Sequence, residues 1–167
     1  MSTTYENLMA AFAGESQANR KYLAFAKKAE AEGFPQIARL FRSAAEAETI
    51  HAHAHFNVVG GVKDTVENLK AAIEGEGHEF KEMYPAFLEV ALKEGNKKAE
   101  VSIKNAMAVE KIHYDLYTEA LAMLKSGKDL PAGDIWVCPV CGNTVKGNAP
   151  EKCPICNVMR EKFFKVQ

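Results

Sequence analysis

Residues 1–137 contain no cysteine, and all four cysteines of the chain lie between 138 and 156. A disulfide framework spreads its cysteines through a small secreted chain, so that class is excluded. No apolar run approaches the roughly 20 residues needed to cross a bilayer. Neither sign of charge is in excess: 21 Lys and Arg face 22 Asp and Glu, for a net charge of −1. That balance argues against a nucleic-acid binder and against a polybasic membrane anchor. The opening stretch Met1-Ser2-Thr3-Thr4-Tyr5-Glu6-Asn7 lacks both a basic and an apolar segment. It therefore predicts no signal peptide and a cytoplasmic setting. Helix breakers are also scarce up to residue 125, and no long acidic segment is available to line a storage cage.

What is present over residues 1–125 is Ala, Glu, Lys and Leu, with apolar residues recurring at three- and four-residue spacing, as in Leu8, Phe12, Ala18, Tyr22 and Ala26. This is the helical period. Breaks at Gly33-Phe34-Pro35, Gly60-Gly61 and Gly95-Asn96 divide the region into four helices of about 4–31, 36–59, 64–93 and 96–125. Helices this long suit an antiparallel bundle. Pro85 falls inside the third and predicts a kink. Residues 1–125 are thus read as a helical bundle, 126–134 as a linker, and 135–167 as a module too small to fold without a metal.

The helical region looks duplicated. Glu15 is followed 33 residues later by Glu48 in Glu48-Thr49-Ile50-His51, and Glu76 is followed 34 residues later by Glu110 in Glu110-Lys111-Ile112-His113. Each of the four helices thereby carries a glutamate on its apolar stripe. Glutamate goes inside when it is paired or bound to a cation. Glu-x-x-His puts both side chains on one face. Glutamates from two helices with Glu-x-x-His from two others form the inward ligand set of di-iron and di-manganese carboxylate bundles. So many carboxylates at close quarters would take up protons unless divalent metals neutralised them. Oxygen and imidazole donors suit iron or manganese, and zinc is an alternative. The repeat is imperfect at one place: Glu79 stands where the first hairpin has Ala18. His53 reads as a surface residue, His55 as core-facing or beside the ligands, and His78 as pointing away from them. Tyr22 and Tyr84 read as core tyrosines able to reach the site.

Cys138-Pro139-Val140-Cys141-Gly142 and Cys153-Pro154-Ile155-Cys156-Asn157 are two metal knuckles, with 11 residues between Cys141 and Cys153. Four thiolates at this spacing close a tetrahedral site for zinc or for a single iron. A redox-capable site upstream tips the reading towards iron. Trp136, Phe163 and Phe164 are expected to cap the module.

Taken together, Glu15 with Arg20-Lys21-Tyr22, Glu48-x-x-His51, Glu76-x-x-Glu79 with Tyr84-Pro85, Glu110-x-x-His113 and the four-cysteine tail resemble the rubrerythrin family over nearly the full chain. The resemblance implies a ferritin-like antiparallel four-helix bundle with two iron ions, followed by a rubredoxin-like domain with one iron. Zinc could substitute in either site. It implies a peroxidase that reduces hydrogen peroxide to water, with electrons reaching the tail iron from an NAD(P)H-dependent reductase or a small electron-carrier protein. By the same resemblance Glu15, Glu48, Glu76, Glu110 and His113 are standing ligands. Glu79 and His51 alternate on one iron with its oxidation state, and Tyr22 and Tyr84 hydrogen-bond ligand carboxylates. The family is generally dimeric, with the tail iron serving the partner's site, and some short members exchange helices. Asn143 and Asn157 depart from the commonest tail pattern, which has an aromatic residue and glycine there; hydrogen bonds to sulfur tune such centres. The competing readings are an oxygen-using ferroxidase or iron-handling protein, and a non-enzymatic bundle with a structural zinc ribbon.

Overall fold

Thr3 starts the first helix with a capping box: the Glu6 backbone N–H donates to Thr3 Oγ1 at 3.2 Å, and the Thr3 N–H donates to the Glu6 carboxylate at 2.7 Å. The two bonds satisfy amides that a helix start leaves without partners. The computed structural model describes residues 2–167. Helix α1 spans Thr4–Ala31 and α2 spans Pro35–Val58. The turn between them uses Gly33 at φ 83°, with the Phe34 N–H donating back to the Ala29 carbonyl at 2.9 Å. That conformation is strained for any residue with a Cβ. Pro35, whose missing N–H costs nothing at a helix start, opens α2.

The described chain falls into two units, one ending at Lys63 and the other running from Asp64 to Gln167. In the first, α1 and α2 form a hairpin whose buried contacts are alanines: Ala26, Ala29, Ala38, Ala45 and Ala52. Small side chains let the two backbones approach closely. Phe12 stacks on Phe56 at 4.7 Å. Asn19 Nδ2 donates to the Ala45 carbonyl at 2.7 Å and to Thr49 Oγ1 at 2.8 Å, fixing the register of α1 on α2.

The second unit begins with α3, Thr65–His78, capped by Asp64, and reaches α5, Lys97–Lys125, capped by Asn96. Between them the third helix of the sequence reading is not continuous. A π-helical turn occupies Glu79–Met83, and α4 resumes over Tyr84–Lys93. Pro85 is the cause. It has no N–H to give and its ring would strike the carbonyl one turn back. The chain widens instead, and the Tyr84 N–H donates to the Glu79 carbonyl, five residues earlier. The irregularity expected at Pro85 thus takes the form of a π turn, a feature common at functional sites.

The tail carries a three-stranded antiparallel sheet of order β2-β1-β3, with β1 at Ile135–Val137, β2 at Thr144–Lys146 and β3 at Phe164–Lys165. Its small core holds Cys138, Ala149, Cys153 and Phe163, with Trp136 against it. Phe164, expected in the cap, faces solvent instead. Neighbouring residues of a strand point to opposite sides, so Phe163 and Phe164 cannot both turn inward.

Candidate metal centres

The cysteine knuckles are built by short-range hydrogen bonds. The Gly142 N–H donates to the Cys138 carbonyl, and the Asn157 N–H to the Cys153 carbonyl, both at 2.9 Å. Gly142 at φ 87° and Asn157 at φ 62° close the two loops in the left-handed region. Asn is among the few residues other than Gly that adopt it. The four sulfurs lie within 4.8 Å of one another, with Cys138–Cys156 and Cys141–Cys153 each at 3.5 Å. A disulfide needs about 2.05 Å. A tetrahedron of about 2.3 Å metal–sulfur bonds has edges near 3.8 Å. The spacing therefore fits one metal ion and no disulfide. Burial raises the Cys153 thiol, but backbone N–H groups of Cys156 and Ile155 outweigh it and hold it at about 7. Burial pushes Cys141 strongly up. Asn143, buried to 2% exposure, directs Nδ2 at Cys153 Sγ at 3.7 Å.

The carboxylates and histidines gather in two triads. In the first unit Glu15, Glu48 and His51 bring one ligand atom each within 4.8 Å of one another. His51 Nδ1 lies 3.0 Å from Glu48 Oε2, and its ring is exposed. In the second unit Glu76, Glu110 and His113 do the same. His113 Nδ1 lies 2.9 Å from Glu110 Oε2 and 3.8 Å from Glu76 Oε1. The i,i+3 spacing of each Glu-x-x-His makes the pair local to one turn; helix pairing supplies the third member.

The second triad is electrostatically loaded. Burial, the charge of Glu110, its hydrogen bond and Glu79 together push Glu76 up to about 7. Burial, then Glu110, raises Glu79 as well. Burial and the charges of Glu79, Glu110 and Glu76 raise Tyr84. The π turn explains the last. In a regular helix, eight residues at 100° each would leave Tyr84 about 80° away from Glu76; the wider turn reduces that angle. Tyr22 lies in an aromatic group, 6.3 Å from Phe25 and 6.2 Å from Phe41. His53 is exposed, His55 half-buried, and His78 pairs with Glu82 at 3.2 Å on the surface.

One contact had no signature in the sequence. His113 Nε2 lies 2.9 Å from Thr144 Oγ1, on β2 of the cysteine module. The Lys146–Glu119 ion pair at 2.5 Å reinforces this seam. The resemblance implies a tail iron serving a partner's site; here the tail of the chain touches the histidine of its own second triad. Pairs 31 residues apart leave no periodic trace by which to find them.

Two triads of carboxylate and imidazole donors, together with a closed tetrathiolate site, define a metalloprotein with a carboxylate/histidine centre and a four-cysteine centre. A sequence model of the Rubrerythrin family matches residues 6–121, and one described as the rubrerythrin, rubredoxin-like domain matches 136–164. The chain belongs to the rubrerythrin family. Rubrerythrin-2 of Clostridium acetobutylicum is 40% identical over 174 residues, covering 96% of this chain and 95% of that relative. Nigerythrin of Nitratidesulfovibrio vulgaris is 40% identical, covering 98% of this chain and 86% of that relative. The solved structure titled as the fully reduced, all-ferrous state of nigerythrin matches with a TM-score of 0.58 at 36% identity, over 99% of this chain and 88% of that one. The fold is accordingly ferritin-like and mainly α, followed by a rubredoxin-like domain. The carboxylate/histidine ligands of the family's di-iron site and the four-cysteine site are both present. Among the described residues no helix is long and apolar enough to cross a membrane.

Proposed function

We propose that this protein is a peroxidase that reduces hydrogen peroxide to water, H2O2 + 2 H+ + 2 e− → 2 H2O, in defence against oxidative stress. Its electrons come from NAD(P)H through a reductase, directly or by a small carrier protein, and enter at the cysteine site. Glu15, Glu48 and His51 would hold iron in one triad, and Glu76, Glu110 and His113 in the other, with Glu79 as an extra carboxylate. Bound iron would supply the electrons and the Lewis acidity that O–O cleavage needs. The protein supplies the surroundings. Tyr84 keeps its phenolic proton at neutral pH, because burial and the carboxylates push it further up, and so remains a hydrogen-bond donor near them. The observation that carries this reading is the 2.9 Å contact of Thr144 with His113, because it sets a one-electron site against a ligand of the second triad.

The test is anaerobic. The iron-loaded protein is reduced, then mixed with hydrogen peroxide or with oxygen while the tetrathiolate absorption is followed. Faster recolouring with peroxide is expected. Faster recolouring with oxygen would replace this reading with a ferroxidase. A preparation holding zinc at the cysteine site, with no visible band and full turnover, would overturn the electron route. Glu79→Ala should retain metal and lose turnover.

A further inference from the structure

The hydrogen bonds around Thr144 bear on which nitrogen of His113 carries a proton. The Thr144 hydroxyl has one hydrogen. It lies 3.1 Å from the Gly142 carbonyl, which can only accept, so the hydroxyl donates there. Toward His113 Nε2, at 2.9 Å, Oγ1 is then left as an acceptor. Nε2 therefore bears the hydrogen, and in the neutral ring Nδ1 holds a free lone pair. That lone pair lies against Glu110 Oε2 at 2.9 Å and Glu76 Oε1 at 3.8 Å. This is an arrangement that a cation among the three atoms would satisfy, with Nδ1 and the two carboxylates as its donors. The Gly142 carbonyl is itself set by the cysteine knuckle, whose N–H to Cys138 bond and φ of 87° fix its direction. Next to it, Val109 Cγ1 would stand 3.6 Å from a Cβ at Gly142, so the knuckle rests directly on α5.

We infer that Thr144 is a positioning residue: it locks His113 in the tautomer that presents Nδ1 to a metal, and so makes metal binding at the Glu76/Glu110/His113 triad depend on a side chain of the cysteine module. Ligating histidines generally donate their second N–H to an acceptor that orients the ring, and loss of that acceptor weakens metal binding about 10–100-fold. In this chain the acceptor comes from the other metal module. His51 is not held this way: its ring is exposed and its hydrogen-bond partner is Glu48 alone among the described residues. The inference needs no particular oxidant and stands apart from the peroxide reading.

The test uses the full chain with iron in the cysteine site, whose visible band reports the integrity of that module. Manganese(II) is titrated anaerobically, and free metal is followed by electron paramagnetic resonance. Thr144→Val keeps the shape and removes the hydroxyl. It should weaken one manganese-binding step about 10–100-fold with the visible band unchanged, and Thr144→Ser should restore it. An unaltered isotherm for Thr144→Val, or a serine variant as weak as the valine one, would overturn the inference. Should the valine variant lose its visible band, nitrogen-15 NMR of the zinc-loaded native chain decides. A protonated Nε2 on His113 supports the inference; a metal-bound or unprotonated Nε2 overturns it.

Discussion

Replacing Glu76 by glutamine should stabilise the metal-free protein above neutral pH and leave it unchanged in mild acid. The carboxyl titrates at about 7 in the fold against its ordinary value of 4.5, through burial first and the neighbouring Glu110 second. A raised acid pKa means the folded chain binds more protons than the unfolded chain between those values. Stability is therefore full below pH 4.5 and is lost as the pH rises through about 7. At about 1.4 kcal/mol per pH unit, the full separation corresponds to roughly 3 kcal/mol. The side chain is still partly wet, and solvent screening reduces this to about 1–2 kcal/mol. Glutamine has the shape of the protonated acid and never ionises. Urea unfolding of chelator-treated protein at pH 4.5 and at pH 8 should thus show equal midpoints in acid and a variant more stable by about 1–2 kcal/mol at pH 8. Saturating manganese should reverse the order, because native Glu76 then neutralises a cation. A glutamine variant equal to or weaker than the native chain at pH 8 without metal would refute the assignment of strain to this carboxylate cluster.

Asn143→Ala should lower the reduction potential of the tetrathiolate iron, since an N–H bond to Cys153 sulfur favours the more negative, reduced state. One hydrogen bond of about 1 kcal/mol corresponds to roughly 40 mV for a one-electron couple, measured by potentiometric titration. Ala38→Leu overfills a site with no exposure between α1 and α2. It should cost about 1–3 kcal/mol in thermal unfolding, and a neutral result would show that the hairpin can separate freely. Stripping the cysteine-bound metal should unfold the tail and leave the helices intact. Trp136, the single tryptophan, donates to the Gly147 carbonyl at 2.9 Å, so its emission should move to the red while far-ultraviolet dichroism changes little.

The helices, the Glu-x-x-His pairs and the cysteine knuckles were legible in the residues because each rests on contacts a few positions apart. Gly33, Gly60 and Gly95 mark helix ends by their positive φ angles. The Glu-x-x-His pairs and Cys-x-x-Cys pairs are complete within one turn. Placing Glu15 with Glu48 and His51 needed a hairpin, and the repeat foretold one. Phe164 faces solvent, not the cap, because apolar character does not say which side of a short strand a residue takes. The π turn was anticipated only as a kink: Pro85 announces that the regular bond is lost, not which geometry replaces it.

By itself, then, the sequence determined the metal-binding chemistry, since donor type and spacing along one helix or one loop are properties of the chain. What the tertiary structure alone decided is how those donors are tuned. The pKa of Glu76 depends on its distance from Glu110, across two helices, and on burial by both. The proton on His113 is placed by Thr144, and the sulfur of Cys153 is bonded by Asn143, 31 and 10 residues away. Electrostatic and hydrogen-bond energies fall steeply with distance, and the fold alone sets those distances.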